Sequence, residues 1–143
     1  MHPGSFRDAT AEAVAFEVPG LPPQKTETLS ILSAGHRQAE RVRALLVAAL
    51  AAAQGSGWTR IRSSIALEIV VRGPAAHVGS APRFLAGVAD VLSDKRGRLT
   101  GTHLGVLADV ALFADERQIR AISYREEPAE TPSYQVRVVS LGV

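Results

Sequence analysis

The chain has 143 residues, 46% of them apolar, which suits one domain around a single core and leaves no room for a second. It contains no cysteine, so disulfides and thiolate metal sites are both excluded, and no run approaches the roughly 18 consecutive apolar residues of a membrane span. The formal net charge is only +2, but 14 of the 16 basic residues are arginine, whose planar fork suits phosphate and carboxylate.

That arginine bias, with abundant Ala, Val and Gly, is also what GC-rich coding produces, so composition permits a nucleic-acid partner without requiring one. The N-terminus MHPGSFRDATAEA lacks the basic start and apolar stretch of a secretory signal, and a cytoplasmic location is expected. The four histidines, His2, His36, His77 and His103, have no helical pairing of the kind zinc sites use.

Residues 1–12 are polar and aperiodic and read as a loose N-terminal tail ahead of a single domain over residues 13–143. Val14 to Val18 is a short alternating strand ended by Pro19-Gly20 and Pro22-Pro23. Gln24 to Leu32 reads as a loop or a weak second strand. From Ala34 to Gln54 the spacing of Val42, Leu45, Leu46, Ala49, Leu50 and Ala53 makes one apolar helical stripe, with Ser33 as N-cap and Gly55 as the stop. His36, Arg37, Arg41 and Arg43 load its first half with cationic groups.

Ile61 to Arg72 reads as a strand, with Ile65, Leu67, Ile69 and Val71 on one face. A second helix starts at Ser80, a good N-cap, with Pro82 tolerated in the first turn. Leu85, Val88, Ala89 and Leu92 form its stripe, widened by Phe84 and Val91. Asp94 to Arg98 is a basic loop, and its Lys95, Arg96 and Arg98 are candidates for phosphate contacts. A third helical stretch is expected over Leu104 to Leu112, then strands over Gln118 to Glu126 and Ser133 to Leu141, paired as a hairpin. The predicted class is a small mixed α/β (α+β) domain in the order β-α-β-α-α-β-β, with one long helix, two shorter ones and a mixed sheet.

Other motifs carry less. Gly101-Thr102-His103-Leu104-Gly105 lacks the Gly-Lys-Ser/Thr ending of a phosphate loop and reads as a turn. Trp58, Tyr124 and Tyr134 are too dispersed for a base-stacking platform and are expected in the core or an interface.

The Pro-rich turn after the first strand, the helix ending Ala89-Asp90-Val91-Leu92, and Phe113-Ala114-Asp115-Glu116-Arg117-Gln118-Ile119 together resemble the RusA family of Holliday junction resolvases. The resemblance covers residues 14–140 and rests on the order and spacing of short motifs. It implies a dimeric, Mg²⁺-dependent endonuclease acting on branched DNA, with clustered acidic residues holding the metal. Mg²⁺ wants hard oxygen ligands, activates water and stabilises the charge that develops on phosphate.

Laid on this chain, the family's first aspartate falls on Ser80, its second acidic or Thr position on Pro82, its Asn on Arg83 and its lysine on Ala86. The distal acidic pair is kept as Asp115 and Glu116. Serine and proline cannot stand in for carboxylates, and Arg83 sets a cation where a divalent metal would sit.

Three arrangements are compatible with these residues. Arg83 could neutralise Asp115 or Glu116 as a structural relic. Arg83 and the amides around Ala81 could grip a phosphate without cutting it. Asp115 and Glu116, with Asp90, could retain a residual metal site. The expected function is that of a diverged RusA-like protein that binds branched or duplex DNA as a homodimer with cleavage lost or weakened, through Arg37, Arg41, Arg43, Arg83, Lys95, Arg96 and Arg98. Mg²⁺ enters by the resemblance alone, and a degenerate site needs no cofactor. The alternative is a fold reused as a non-enzymatic protein-interaction or regulatory module.

Overall fold

Alternation along β2 (Ile65–Gly73) organises the molecule: Ile65, Leu67, Ile69 and Val71 are fully buried, while Ala66, Glu68, Val70 and Arg72 are half-buried. A strand so apolar on one face and so covered on the other belongs in the middle of a sheet. The computed structural model, which describes residues 12–25, 38–74, 80–95 and 104–142, places it there. The remaining elements are β1 (Ala13–Pro19), α1 (Ala39–Ser56), α2 (Ala81–Leu92), β3 (Ile119–Pro128) and β4 (Ser133–Ser140), with two short 3₁₀ turns at Gly105–Asp109 and Glu116–Gln118. Together they make a small mixed α+β domain around a four-stranded sheet in the order β1-β4-β2-β3.

β4 runs antiparallel to both β1 and β2, and β3 runs parallel to β2. The expected hairpin between the last two strands is therefore corrected. β3 and β4 point in opposite directions but are not neighbours, because β2 lies between them. Residues 129–132 cross the end of β2, where the Ala129 N–H donates to the Gly73 carbonyl at 3.0 Å. Pro128 and Pro132 bracket this crossing and cannot donate to a hairpin ladder. The polar content of β3 suits an edge, whereas β4 brings buried Tyr134, Val136 and Val138 to the centre.

α1 packs on the sheet through Val42, Leu45, Leu46 and Ala49, the stripe that the periodicity predicts. Its bounds differ from the expectation. Gly55 lies inside the helix, and the left-handed Gly57 (φ 79°) ends it, donating to Ala53 O at 3.0 Å. Ser33 and residues 26–32 lie outside the described residues, as do residues 1–11; Glu12 is tied to β4 by the Ser140 N–H. Before α1, buried Gln38 turns back on Gln24, accepting from its N–H at 2.6 Å and donating to its carbonyl at 2.7 Å.

That pair of hydrogen bonds pins the proline turn to the start of α1, and the Lys25 N–H, donating to Arg83 O at 3.2 Å, holds it against α2. A side chain on Gly87 would collide with the backbone of Pro23, so the approach needs glycine there. α2 starts as predicted, with Ser80 Oγ accepting from the Arg83 N–H at 3.4 Å. Phe84, Val88, Val91 and Leu92 are fully buried.

The third expected helix is only the 3₁₀ turn Gly105–Asp109. Its Val106 is 79% exposed, and only Leu107 within it is buried, so it has no stripe with which to grow. The chain beyond it is held extended instead: Leu112 N donates to Leu92 O at 2.8 Å, and Phe113 bridges both Ile61 and Ser93. Ile61 thus lies outside β2, which starts four residues later than the expected strand at Ile65. Among the described residues no helix is long and apolar enough to cross a membrane.

Candidate anion-binding site

Gln118 assembles the most distinctive surface. Its Oε1 accepts from the N–H groups of Ala114 (2.8 Å) and Asp115 (2.7 Å), and its Nε2 donates to the carbonyls of Ile61 (3.0 Å) and Ser63 (2.8 Å). One amide, fully satisfied, thereby fastens the loop before β3 to the approach to β2. Asp115 caps the turn Glu116–Gln118, and Gln118 completes a capping box.

Asp115 is itself taken up by its neighbour. Oδ1 accepts from the Arg117 N–H at 2.8 Å and from Nε at 3.2 Å, and Oδ2 accepts from Nη2 at 3.0 Å. The guanidinium hydrogen bonds, followed by the backbone one, hold the Asp115 carboxyl below its usual range. Arg62, Ser64, Asp115, Arg117, Gln118 and Arg120 line an open cleft of ≈ 360 Å³.

Three guanidinium groups face one carboxylate there, which leaves the cleft positive. The arginines elsewhere on the sheet have acids of their own: Arg137 pairs with Glu68 at 3.1 Å, Arg72 with Glu127 at 3.0 Å and Arg125 with Glu127 at 2.9 Å. Arg62 and Arg120 are exposed and have no acidic partner among the described residues. Parallel pairing of β2 with β3 is what brings Arg62 beside Arg117 and Arg120. Nothing in the sequence links residues so far apart, although the close spacing of Arg117 and Arg120 was a visible half of the signal.

The sequence-predicted residues fall into separate places. Ser80, Pro82, Arg83 and Ala86 are at or near the surface at the start of α2. Asp115 adjoins its other end, where the Asp94 N–H donates to Ala114 O at 3.4 Å. Ten residues of helix and cap lie between Arg83 and Asp94, which sets them roughly 16 Å apart along the axis. The expected neutralisation of Asp115 by Arg83 is thus corrected: Arg117, two residues away, does it. Asp90, 8% exposed, pairs with Lys25 at 3.5 Å.

Lys95 is also corrected. It is not an exposed phosphate contact but 1% exposed, its Nζ donating to the carbonyls of Val91 (2.8 Å), Ser93 (3.2 Å) and Val110. An ammonium's three donors make it a good clasp for carbonyls left free at a helix end. Arg41 is half-buried and reaches Pro22 O at 3.4 Å, while Arg43 is exposed on α1. Arg37, Arg96 and Arg98 lie outside the described residues, as do all four histidines.

Among the described residues no three His, Asp or Glu side chains gather where they could hold a metal ion. Asp115 and Glu116 do not fit Mg²⁺ in this arrangement, because both Asp115 oxygens are engaged by Arg117 and Glu116 is a single exposed carboxylate. What the cleft offers is charge-assisted hydrogen bonding to an anion. Set against known proteins, the chain matches no family model and no curated protein.

Proposed function

We propose that this protein is a diverged RusA-like DNA-binding protein that grips phosphate at the cleft of Arg62, Arg117 and Arg120 without cutting it. The observation that carries the reading is the positive cleft built on the Asp115-to-Gln118 motif, the stretch through which the chain resembles the resolvases. Planar guanidinium forks in an open cleft suit the oxygens of a phosphodiester backbone. The carboxylate that the family would offer to a metal is bound by Arg117 instead, so the surface binds anions where a nuclease would bind cations. The resemblance adds a homodimer as the assembly and branched DNA as the preferred ligand.

The test is binding to four-way junction DNA and to duplex at low salt, with and without Mg²⁺, for the wild type and for Arg62→Ala and Arg120→Ala. Each substitution is expected to weaken binding and reduce the salt slope by about one. Failure of the wild type to bind at low salt overturns the reading, and Mg²⁺-dependent cutting overturns the loss of cleavage. A second reading, a protein-interaction module, is favoured by the open edge of β3, whose Ile122 is 57% exposed.

A further inference from the structure

We infer that β3 is a self-association strand: two copies of the chain pair β3 against β3, antiparallel about a two-fold axis at Ser123, and join their sheets into one. The inference deepens the homodimer of the proposed function by assigning its surface, and it does not depend on DNA.

β3 is ten residues long and closes one edge of the sheet, paired only with β2 among the described residues. A long edge exposing unpaired N–H and C=O groups is normally blunted by charged side chains, above all lysine, by proline, by a bulge or by a very short strand. β3 has no lysine, its proline, Pro128, comes only at its end, and its charges, Arg120, Arg125, Glu126 and Glu127, are of both signs, so an antiparallel second copy can complement them. Its single irregularity is near its start, where Ile65 faces Ile119 but Ala66 faces Ala121, leaving Arg120 as the extra residue of a bulge.

The side chains on the edge are the second argument. Ile122 and Tyr124 lie opposite Leu67 and Ile69 and so share the core-facing side of the sheet. Leu67 and Ile69 are covered, yet Ile122 is 57% exposed and Tyr124 only half-buried. The apolar face of the sheet thus runs on past the cover that this chain's described residues provide.

Symmetry then selects a register. A two-fold axis relating adjacent antiparallel strands must stand perpendicular to the sheet, so the core-facing sides of both copies meet and one residue faces itself. With Ser123 on the axis, Ile122 faces Tyr124 of the second copy, Arg120 faces its Glu126, and Ala121 faces its Arg125. Each relation occurs twice, which gives two apolar pairs and two opposite-charge pairs. Moving the axis to Tyr124 sets Ile122 against Glu126. Moving it to Ile122 sets Arg120 against Tyr124 and loses both charge pairs. Within one copy the Tyr124 hydroxyl donates to Glu126 at 2.7 Å and holds that carboxylate beside the edge. Arg120 also lines the anion cleft, so in the dimer Glu126 of the second copy shares Arg120 with a bound anion, while Arg62 stays without an acid among the described residues. The two clefts stand on one continuous sheet, roughly 20 Å apart along the strand direction.

The experiment is sedimentation of the full chain over a range of concentrations, with Glu126→Arg, Ile122→Asp and the exchange R120E/E126R. The wild type is expected to be a dimer. Each single substitution is expected to raise its dissociation constant about tenfold or more, and the exchange to restore most of the loss in E126R. Circular dichroism checks that these exposed-site variants fold. Hydrogen exchange of the wild type supplies an independent reading, in which the outward amides of residues 121–125 gain protection as concentration rises.

A dimer indifferent to all three variants, with no concentration-dependent protection in β3, overturns this interface and leaves a dimer made elsewhere. A wild type that is monomeric throughout overturns the interface and the homodimer together. Junction binding by that monomer would leave the anion cleft standing.

Discussion

Arg117 closes on Asp115 through both carboxylate oxygens, at 3.2 Å from Nε to Oδ1 and 3.0 Å from Nη2 to Oδ2. The pair converts a candidate metal ligand into the single negative group of a positive cleft. Asp115→Asn separates the two roles, because asparagine can still cap the turn through its side-chain oxygen while removing the charge. If the cleft binds phosphate, junction affinity at low salt is expected to rise by about fivefold. A fall in affinity measured by fluorescence anisotropy, with the variant folded, contradicts the anion reading.

Lys95 tests a different distinction. The Lys95→Met substitution keeps most of the apolar stem of the side chain but leaves the carbonyls of Val91, Ser93 and Val110 without its donors in a buried setting. A loss of about 2 kcal/mol in urea unfolding is expected, with little change in junction affinity of the folded protein. An unchanged stability with a clear loss of affinity would restore Lys95 to the phosphate-contact role that the basic run suggests.

Gly87→Ala is expected to be costly even though alanine favours helices. The added methyl group would run into the Pro23 carbonyl, and the segment it strikes is held by the paired hydrogen bonds between Gln38 and Gln24. Displacing it should cost about 2 kcal/mol, read as a lowered urea midpoint. A midpoint equal to that of the wild type would show that the proline turn yields freely.

Tyr134 is fully buried, and its hydroxyl has no hydrogen-bond partner among the described residues. Burial pushes its pKa well above the ordinary tyrosine value, with the charge on Arg41 opposing only in part. A folded-state pKa raised above the unfolded one means that this contribution to stability is intact below about pH 10 and is lost progressively as pH rises past it. Tyr134→Phe keeps the ring and removes the orphaned group. Stability at neutral pH is expected to be unchanged or higher by about 1 kcal/mol, with a shallower alkaline decline. Urea melts at neutral and alkaline pH check both parts, and a clearly destabilised Phe variant would mean that the hydroxyl has a partner.

The acid side has the opposite sign. Asp115 is depressed by Arg117, and Glu127 by Arg125 and then Arg72, so whatever these exposed pairs contribute is present above the ordinary carboxylate range and lost as pH falls through the lower folded-state values. Their exposure keeps that contribution small.

Local patterns were enough for the elements that bury one face. The alternation of Ile65, Leu67, Ile69 and Val71, the stripe of Val42, Leu45, Leu46 and Ala49, and Ser80 at a helix start each state a periodicity or a cap that nearby residues complete among themselves. By itself the sequence determined the helices, the strands, their order and a single small α+β domain, apart from a third helix that shrank to one turn.

Tertiary structure alone decided who stands beside whom. β3 took the far side of β2 rather than pairing with β4, Lys95 turned inward onto three carbonyls, Asp115 found Arg117 instead of Arg83, and Arg62 joined Arg117 and Arg120 across the parallel pair. The physical reason is common to all four. Periodicity records which face a residue buries, whereas strand partners and charge partners are chosen by competition among distant segments for the same edge, carbonyl or carboxylate.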